Sequence, residues 1–255
     1  MAIVDEKKHT PKRLKCLLCE ERVETMAALC TSCSTIAQLA APTFVALDPT
    51  EQAFRRIKSE FLKNWLHPTN SPKIVAIHAI WMQKSSSDAY EDVRAKNHSQ
   101  AELRLYHGTK VKCNFGPGAT VPCHKMDCYL CQIVKNGFRH PLPNYADPIN
   151  GKRWDRFGSA MYFSPVSSKA ADYERKRNGK HDRIRNVIIA RVATGREEVM
   201  SRKAPYKEAT SNGYDCVYGP AGRAGLNYAE YAVYNDFAAL PAFVVSFEGG
   251  YPSTG

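Results

Sequence analysis

The chain has 255 residues, of which 44% are hydrophobic, enough for a packed core and too many for a disordered polypeptide. Its formal net charge of +11 favours acidic partners such as nucleic acid or a pyrophosphate-bearing ligand, although scattered solubilising charge explains the same value equally well. No apolar stretch approaches the roughly 18 residues of a membrane span, and residues 1–15 lack the apolar core of a signal peptide. We therefore expect a nuclear or cytoplasmic protein that is neither secreted nor inserted in a membrane.

The first 45 residues contain four cysteines with the spacing C-x2-C-x10-C-x2-C: Cys16, Cys19, Cys30 and Cys33. Each C-x2-C pair can bind one metal ion, and two pairs complete a tetrahedral zinc site. A segment this short buries too little apolar surface to fold alone, so the metal would supply the missing stability. A redox pair or free thiols are the alternatives. The sequence predicts a small zinc module over residues 1–45 and a larger domain over residues 46–255.

A helix is predicted to begin at Asp48, Pro49 and Glu51, which fit an N-cap, a first-turn proline and a capping-box carboxylate. Pro68 is expected to end it. Apolar residues recur between them at helical spacing: Phe54, Ile57, Phe61 and Trp65.

The chain after this helix is predicted to be mixed. Residues 74–82 form an apolar, β-branched run typical of a buried strand, with His78 as a core histidine, and residues 88–96 suit a short helix. A further helix is expected over residues 167–175. Six further segments have strand character: residues 103–106, 161–164, 187–193, 214–218, 230–234 and 242–247.

Residues 108–157 are rich in Gly, Pro, Cys and Asn and too long for an ordinary connection, which indicates a functional insertion. His124 within it is a spare candidate ligand. The insertion holds a second cysteine quartet: Cys113, Cys123, Cys128 and Cys131. The sequence predicts a second structural zinc here, not a catalytic one, since four protein ligands leave no open position. Free thiols in a surface loop are the alternative. The ninth cysteine, Cys216, is expected in a buried strand.

The sequence contains neither G-x-G-x-x-G nor G-x-x-x-x-G-K-[ST], which excludes the usual dinucleotide fingerprint and the P-loop. Three other segments stand out. Residues 105–109 read LYHGT, residues 157–163 read FGSAMYF, and residues 227–234 read NYAEYAVY. The second segment runs on through Ser168 and Lys169 to Tyr173. Their order and spacing resemble the catalytic domain of the poly(ADP-ribose) polymerases, in which a His–Tyr–Glu set holds and cleaves NAD.

The resemblance covers roughly residues 50 to 248 and includes residues 187–195, 213–217 and 240–247. It is greatest for small fungal-type members that carry cysteine-rich segments. The resemblance implies an α+β ADP-ribosyltransferase fold. In this fold two packed antiparallel sheets enclose the NAD cleft between them, and helices flank the sheets.

By resemblance, the catalytic set is His107, Tyr162 and Glu230. His107 would bind the adenosine ribose of NAD, which is a positioning role. Tyr162 and Tyr173 would stack on the two faces of the nicotinamide ring. Glu230 would bind a ribose hydroxyl and stabilise the positive charge that develops as nicotinamide leaves. Lys169 would lie near Glu230 and keep it ionised.

The remaining expected NAD contacts come from Gly108, Thr109 and Ser168, with Gly108 offering backbone groups to the nicotinamide amide. One departure concerns this end of the ligand. The family has a serine three residues before the second stacking tyrosine, where this chain has Ala170, so one hydrogen bond of about 1 kcal/mol is missing. The alternatives are a reduced affinity for NAD or compensation by Ser168 or another group. Ala160 and Ala229 are smaller departures.

The resemblance implies an NAD-dependent ADP-ribosyltransferase with a protein or nucleic-acid acceptor. Transfer of a single unit is expected, but a glutamate at position 230 is also compatible with chain elongation, so the choice between the two stays open. A glycohydrolase that uses water as acceptor would need the same pocket. A third possibility, from another class, is a catalytically silent zinc-dependent module that binds ADP-ribose or a partner protein. The complete set of His107, Tyr162 and Glu230 argues against that third possibility, and Ala170 argues weakly for it.

Overall fold

The computed structural model describes residues 42–68, 70–140, 156–174 and 184–250. The chain divides into a unit of residues 1–39 and a unit of residues 40–255, and all described residues belong to the second. The first cysteine quartet lies outside the described residues, so the predicted N-terminal zinc module stays a prediction. The part of the chain that the structure describes contains no helix long and apolar enough to cross a bilayer.

A five-stranded sheet forms the larger half of the second unit. Its order is β1–β2–β9–β5–β3, and all neighbours are antiparallel. The strands are β1 (Thr43–Ala46), β2 (Lys73–Trp81), β3 (Glu102–His107), β5 (Arg185–Ala193) and β9 (Ala239–Glu248). The inner strands β5 and β9 are almost wholly buried, which explains the apolar runs at residues 187–190 and 242–245.

A four-stranded sheet forms the smaller half, in the order β4–β8–β7–β6. Its strands are β4 (Met161–Phe163), β6 (Glu197–Val199), β7 (Cys216–Gly219) and β8 (Glu230–Val233). Two sheets are therefore present as predicted, but the expectation that every pairing is antiparallel is wrong for β6 and β7, which run parallel. Residues 200–215 cause the difference, because this long connection returns the chain to the start of the neighbouring strand.

Within the described ranges, four α-helices and one short 3₁₀ turn flank the sheets. They are α1 (Gln52–Lys63), α2 (Lys84–Lys96), α3 (Tyr129–Asn136), α4 (Ser167–Asp172) and the 3₁₀ turn Asp236–Ala238. The predicted helix limits need correction at α1. Glu51 is the N-cap, while the carboxylate of Asp48 accepts from the backbone N–H and hydroxyl of Thr50 at 2.7 Å each and so stabilises the preceding turn. The helix also ends at Lys63, before Pro68.

The two faces of the five-stranded sheet hold separate parts of the core. On one face, α1 packs Phe54, Ile57 and Phe61 against apolar side chains of β5 and β9. The other face buries residues of α3, β4 and β8. His78 is fully buried, as predicted, and its Nε2–H donates to the carbonyl oxygen of Pro117 at 3.2 Å. Cys216 is also buried, in β7.

The sheets meet beside the end of β3. The backbone N–H of Tyr106 donates to the carbonyl oxygen of Ser164 at 2.8 Å, and the N–H of Ser164 donates back at 3.0 Å. This single bridge joins β3 to the residue that follows β4. It therefore brings His107 of one sheet beside Tyr162 of the other.

Candidate active site

His107 is the last residue of β3 and lies opposite Ile188 of β5. Its Nδ1–H donates to the carbonyl oxygen of Tyr162 at 2.9 Å. Burial lowers the pKa of His107 from its ordinary value, an effect that this hydrogen bond only partly opposes. The imidazole is therefore neutral at pH 7, and because Nδ1 carries the proton, Nε2 keeps a lone pair that can accept a hydrogen bond.

Gly108 follows β3 and lies against the backbone of α4. A Cβ at this position would sit 1.7 Å from the carbonyl oxygen of Ala170 and 3.1 Å from the Cβ of Tyr173. Only glycine allows the end of β3 to approach the helix so closely. The next residue, Thr109, is half-buried. This contact places α4, with its Lys169 and Tyr173, directly beside the His107–Gly108 segment.

Tyr162 and Tyr173 border the same segment. Tyr162, in β4, donates its hydroxyl hydrogen to the carbonyl oxygen of Gly158 at 2.6 Å and accepts from the N–H of Phe157 at 3.1 Å. Burial raises the pKa of Tyr162, and the nearby charges of Glu230 and Tyr173 raise it further. Tyr173 caps the C-terminus of α4 and is 52% exposed. Hydrogen bonds therefore fix Tyr162, whereas Tyr173 is open to solvent.

Glu230 begins β8 and lies opposite Gly219 of β7. Its side chain is almost fully buried, and Oε1 lies 3.0 Å from Nζ of Lys169. The same ammonium donates to the carbonyl oxygen of Tyr228 at 3.0 Å. Burial lowers the pKa of Lys169, and the charge of Glu230 opposes that shift. A cation at this distance favours the ionised form of the carboxylate, which is the form that a developing positive charge requires.

Ser168 is fully buried, and its hydroxyl group contacts the segment after α1 and not the candidate site. Its Oγ accepts from the backbone N–H groups of Leu66 at 3.1 Å and His67 at 3.2 Å. The hydroxyl therefore fastens the segment that follows α1. This geometry favours a structural role for Ser168 and argues against the expected compensation for Ala170, whose side chain is also buried.

Two residues that the sequence reasoning did not select shape the carboxylate end of the site. A Cβ on Gly219 would lie 2.6 Å from the ring of Phe157, so this strand glycine allows the ring to pack beside Glu230. Arg156 donates to the carbonyl oxygens of Ala224 at 2.6 Å and Gly225 at 2.8 Å, which holds the loop between β7 and β8. A glycine inside a strand pattern was the available signal for Gly219; the sequence gives none for Arg156.

The second cysteine quartet forms a compact cluster next to this site. The Sγ atoms of Cys113, Cys123, Cys128 and Cys131 all lie within 4.8 Å of one another. Cys113 Sγ is 3.6 Å from Cys128 Sγ and 3.7 Å from Cys131 Sγ. Four thiolates bound tetrahedrally at about 2.3 Å would be separated by about 3.8 Å, so this set could hold one metal ion. The backbone N–H of Lys112 donates to Cys128 Sγ at 3.3 Å, which suits a thiolate ligand.

His124 does not belong to this cluster. Its side chain is exposed, and its Nδ1 lies 3.3 Å from the Nζ of Lys135. Among the described residues, the four cysteines are therefore the fitting ligand set, and His124 is not needed as a replacement.

Residues 128–225 match the family model of the poly(ADP-ribose) polymerase catalytic domain. The matched part runs from the start of α3 into the loop between β7 and β8 and includes Tyr162, Lys169 and Tyr173. His107 and Glu230 lie outside it, His107 before its start and Glu230 after its end. No curated protein sequence matches the chain.

Proposed function

Because this chain is a member of the poly(ADP-ribose) polymerase catalytic-domain family, we propose that it transfers ADP-ribose from NAD to a macromolecular acceptor and releases nicotinamide. The proposal is for a single unit on each acceptor group, with protein or nucleic acid as acceptor, in the nucleus or cytoplasm. The glycosidic bond between the ribose anomeric carbon and nicotinamide breaks. A bond to the acceptor atom forms, and the acceptor loses a proton.

The buried Lys169–Glu230 pair is the observation that supports this function most directly. Removing a carboxylate from water costs several kcal/mol even when it is paired, so a buried pair is weak evidence for stability. It is better explained by a need for fixed negative charge beside a reacting sugar. Positive charge develops at the anomeric carbon as nicotinamide leaves, and the carboxylate of Glu230 would stabilise it.

The geometry around His107 supports the remaining proposed roles. Neutral His107 offers Nε2 as acceptor to a hydroxyl of the adenosine ribose. The backbone of Gly108 follows His107 and lies against Ala170 and Tyr173, where we propose that it meets the nicotinamide amide. Tyr162 is fixed by two hydrogen bonds, whereas Tyr173 is half exposed. We infer that Tyr162 supplies the rigid stacking face and Tyr173 the outer one.

We also propose that the metal is zinc and that the chain binds two ions. One would be held by the cluster of four cysteines between residues 113 and 131, and the other by the N-terminal quartet. Soft thiolate ligands in a tetrahedral set favour zinc. With four protein ligands each ion would be structural and would take no part in bond cleavage.

The test is incubation of the zinc-loaded protein with NAD labelled in the adenylate phosphate, with a protein mixture, with RNA or DNA, and with neither. We expect label on a macromolecule and none with Glu230→Gln. The matched control is Glu248→Gln, which changes the last carboxylate of β9, 3.9 Å from Lys73 Nζ, and should label normally. Free ADP-ribose without labelled macromolecule would make water the acceptor. If the zinc-loaded protein does not turn over NAD, the protein is a catalytically silent binding module.

A further inference from the structure

The ring of His107 lies against two phenylalanines. Its centroid is 5.2 Å from that of Phe138, nearly perpendicular at 81°, and 5.4 Å from that of Phe163. The two phenylalanine rings also contact each other, at 5.0 Å and 74°. Edge-to-face packing of this kind fixes ring orientation as well as burying area. The orientation of His107 therefore depends on where Phe138 is held.

Phe138 is held by the helix that carries two of the clustered cysteines. It comes directly after Gly137, which ends α3 with a φ of +77°. Cys128 is the N-cap of α3 and Cys131 lies in its first turn. Phe138 is only 2% exposed and shares one core cluster with Cys128, Cys131 and Phe163. A displacement of the cysteines would therefore move the phenylalanine.

A second contact ties the cysteine cluster to the strand of His107. The backbone N–H of Leu130, in α3, donates to the carbonyl oxygen of Lys110 at 3.3 Å. Lys110 lies three residues after His107, and Cys113 follows three residues later. The α3 helix thus braces both the ring of His107 and the chain that leaves it.

The metal would reinforce contacts that α3 already makes, because its apolar face is buried in the core and Arg139 and His140, which follow Phe138, donate to Asp236. α3 has eight residues, and an isolated helix of that length is not stable in water. Among the described residues of this insertion, 108–140, it is the only helix, and no strand accompanies it. The four thiol groups lie at the spacing of metal ligands and form no disulfide, so a bound ion would join α3 to the segment that follows β3.

We propose that the metal bound by the clustered cysteines positions His107 for NAD, with Phe138 as the positioning residue between them. Metal occupancy would then set the affinity for the adenosine half of the dinucleotide. The proposal rests on the function above, since it takes His107 as the contact for the adenosine ribose. Nicotinamide alone would bind between Gly108 and the two tyrosines, beyond the reach of Phe138, and should not respond to the metal.

The first test uses titration calorimetry on the full chain with three probes: NAD, ADP-ribose and nicotinamide. Cys123→Ser removes one half-buried ligand of the cluster, and Met126→Ser is the matched control, because it makes the same new residue at a side chain that is 78% exposed in the same loop. We expect Cys123→Ser to lower the affinity for NAD and for ADP-ribose about tenfold, which corresponds to the loss of one or two ring contacts. Nicotinamide affinity should stay within about twofold, and Met126→Ser should change none of the three.

The second test uses Phe138 directly and does not alter the metal ligands. Phe138→Ala should raise KM for NAD about tenfold and leave kcat within about twofold, since Glu230 is not disturbed. Phe138→Leu should recover most of the loss. The chemical shifts of the His107 ring should move in Phe138→Ala and in Cys123→Ser in the same direction.

If Cys123→Ser binds all three probes more weakly by the same factor, the site as a whole has unfolded and the proposal is overturned. Unchanged NAD and ADP-ribose affinity in that variant, with the metal shown to be lost, would overturn it too. Zinc-loaded wild-type protein that binds nicotinamide and NAD but labels no acceptor would contradict the proposed function and leave this inference intact. Wild-type protein that binds no NAD would overturn both.

Discussion

His107 and Glu230 reach the candidate active site from different sheets, and their surroundings differ in kind. His107 ends a strand of the five-stranded sheet among aromatic rings, with one hydrogen bond to a backbone carbonyl. Glu230 begins a strand of the four-stranded sheet and lies against the ammonium of Lys169. Packing holds the first residue, and buried charge holds the second. We expect the first to tolerate conservative changes of its neighbours and the second to tolerate none.

The largest expected effect is on the rate, at the charged end. Glu230→Gln removes the negative charge and keeps the shape, so nicotinamide release should fall by about 100-fold to 1000-fold. NAD affinity should change little, because binding depends mainly on the other residues. Glu248→Gln is the control, and chromatographic measurement of nicotinamide gives the rate. An equal loss in both variants would argue against a role for the Glu230 charge.

The next effect is on stability at the same end. Lys169→Met leaves a buried carboxylate without its cation, which should lower the free energy of unfolding by about 3 kcal/mol. The double variant with Glu230→Gln should recover most of that loss, because neither charge remains. Urea unfolding of the two single variants and the double variant gives the coupling energy. If the two losses simply add, the pair contributes no mutual stabilisation.

Where the two ends meet, Gly108→Ala should lower the free energy of unfolding by about 2 kcal/mol. The added Cβ would overlap the carbonyl oxygen of Ala170, so α4 must shift. Nicotinamide binding should weaken with it. Gly118→Ala is the matched control, since nothing lies within 4 Å of a Cβ at that position. Thermal unfolding of both variants decides the matter, and equal melting temperatures would show that β3 and α4 are not in close contact.

A moderate effect of pH is expected at the aromatic end. The pKa of His107 is lowered from 6.5 because burial disfavours its charged form. NAD affinity should therefore be constant from pH 8 to about pH 6.5 and fall below the lowered pKa, where protonation removes the acceptor lone pair on Nε2. Nicotinamide affinity measured at the same pH values is the control. Weaker NAD binding as the pH rises from 6.5 to 8 would be contrary to a neutral His107.

The smallest effect concerns the nicotinamide amide. Ala170→Ser restores the hydroxyl that the family resemblance implies, and one added hydrogen bond of about 1 kcal/mol should tighten nicotinamide binding about fivefold. Ala171→Ser, at the adjacent fully buried alanine, is a matched control that should give no gain. If Ala170→Ser binds nicotinamide no more tightly than the wild type does, another group already forms the hydrogen bond to the nicotinamide amide.

The sequence alone predicted the elements whose own pattern of apolar residues determines how they pack. The buried runs of β5 and β9 and the apolar spacing of α1 predicted those elements, and the family resemblance predicted two sheets with Lys169 near Glu230. The resemblance is confirmed by the match over residues 128–225. The roles of His107, Tyr162 and Glu230 stay predictions.

The elements that were missed depend on distant partners. β1 has four residues and β6 has three, and each is stabilised by pairing with another segment and not by its own pattern. The helix α3 of the insertion was not predicted, because its helical pattern is short and lies among turn residues. Its buried residues are Leu130, Cys131 and Val134. For the same reason the contact between Phe138 and His107 could not be predicted. It arises only once the cysteines have brought a long insertion back to β3.

The most direct test of the account is a crystal structure of the zinc-loaded protein with a non-hydrolysable NAD analogue. The account predicts that one ligand contacts both sheets, with the adenosine ribose hydroxyl on Nε2 of His107 and the nicotinamide ring between Tyr162 and Tyr173. The carboxylate of Glu230 should face the nicotinamide ribose. A ligand bound away from His107 and Glu230 would contradict the claim that these two residues form the two ends of one NAD site.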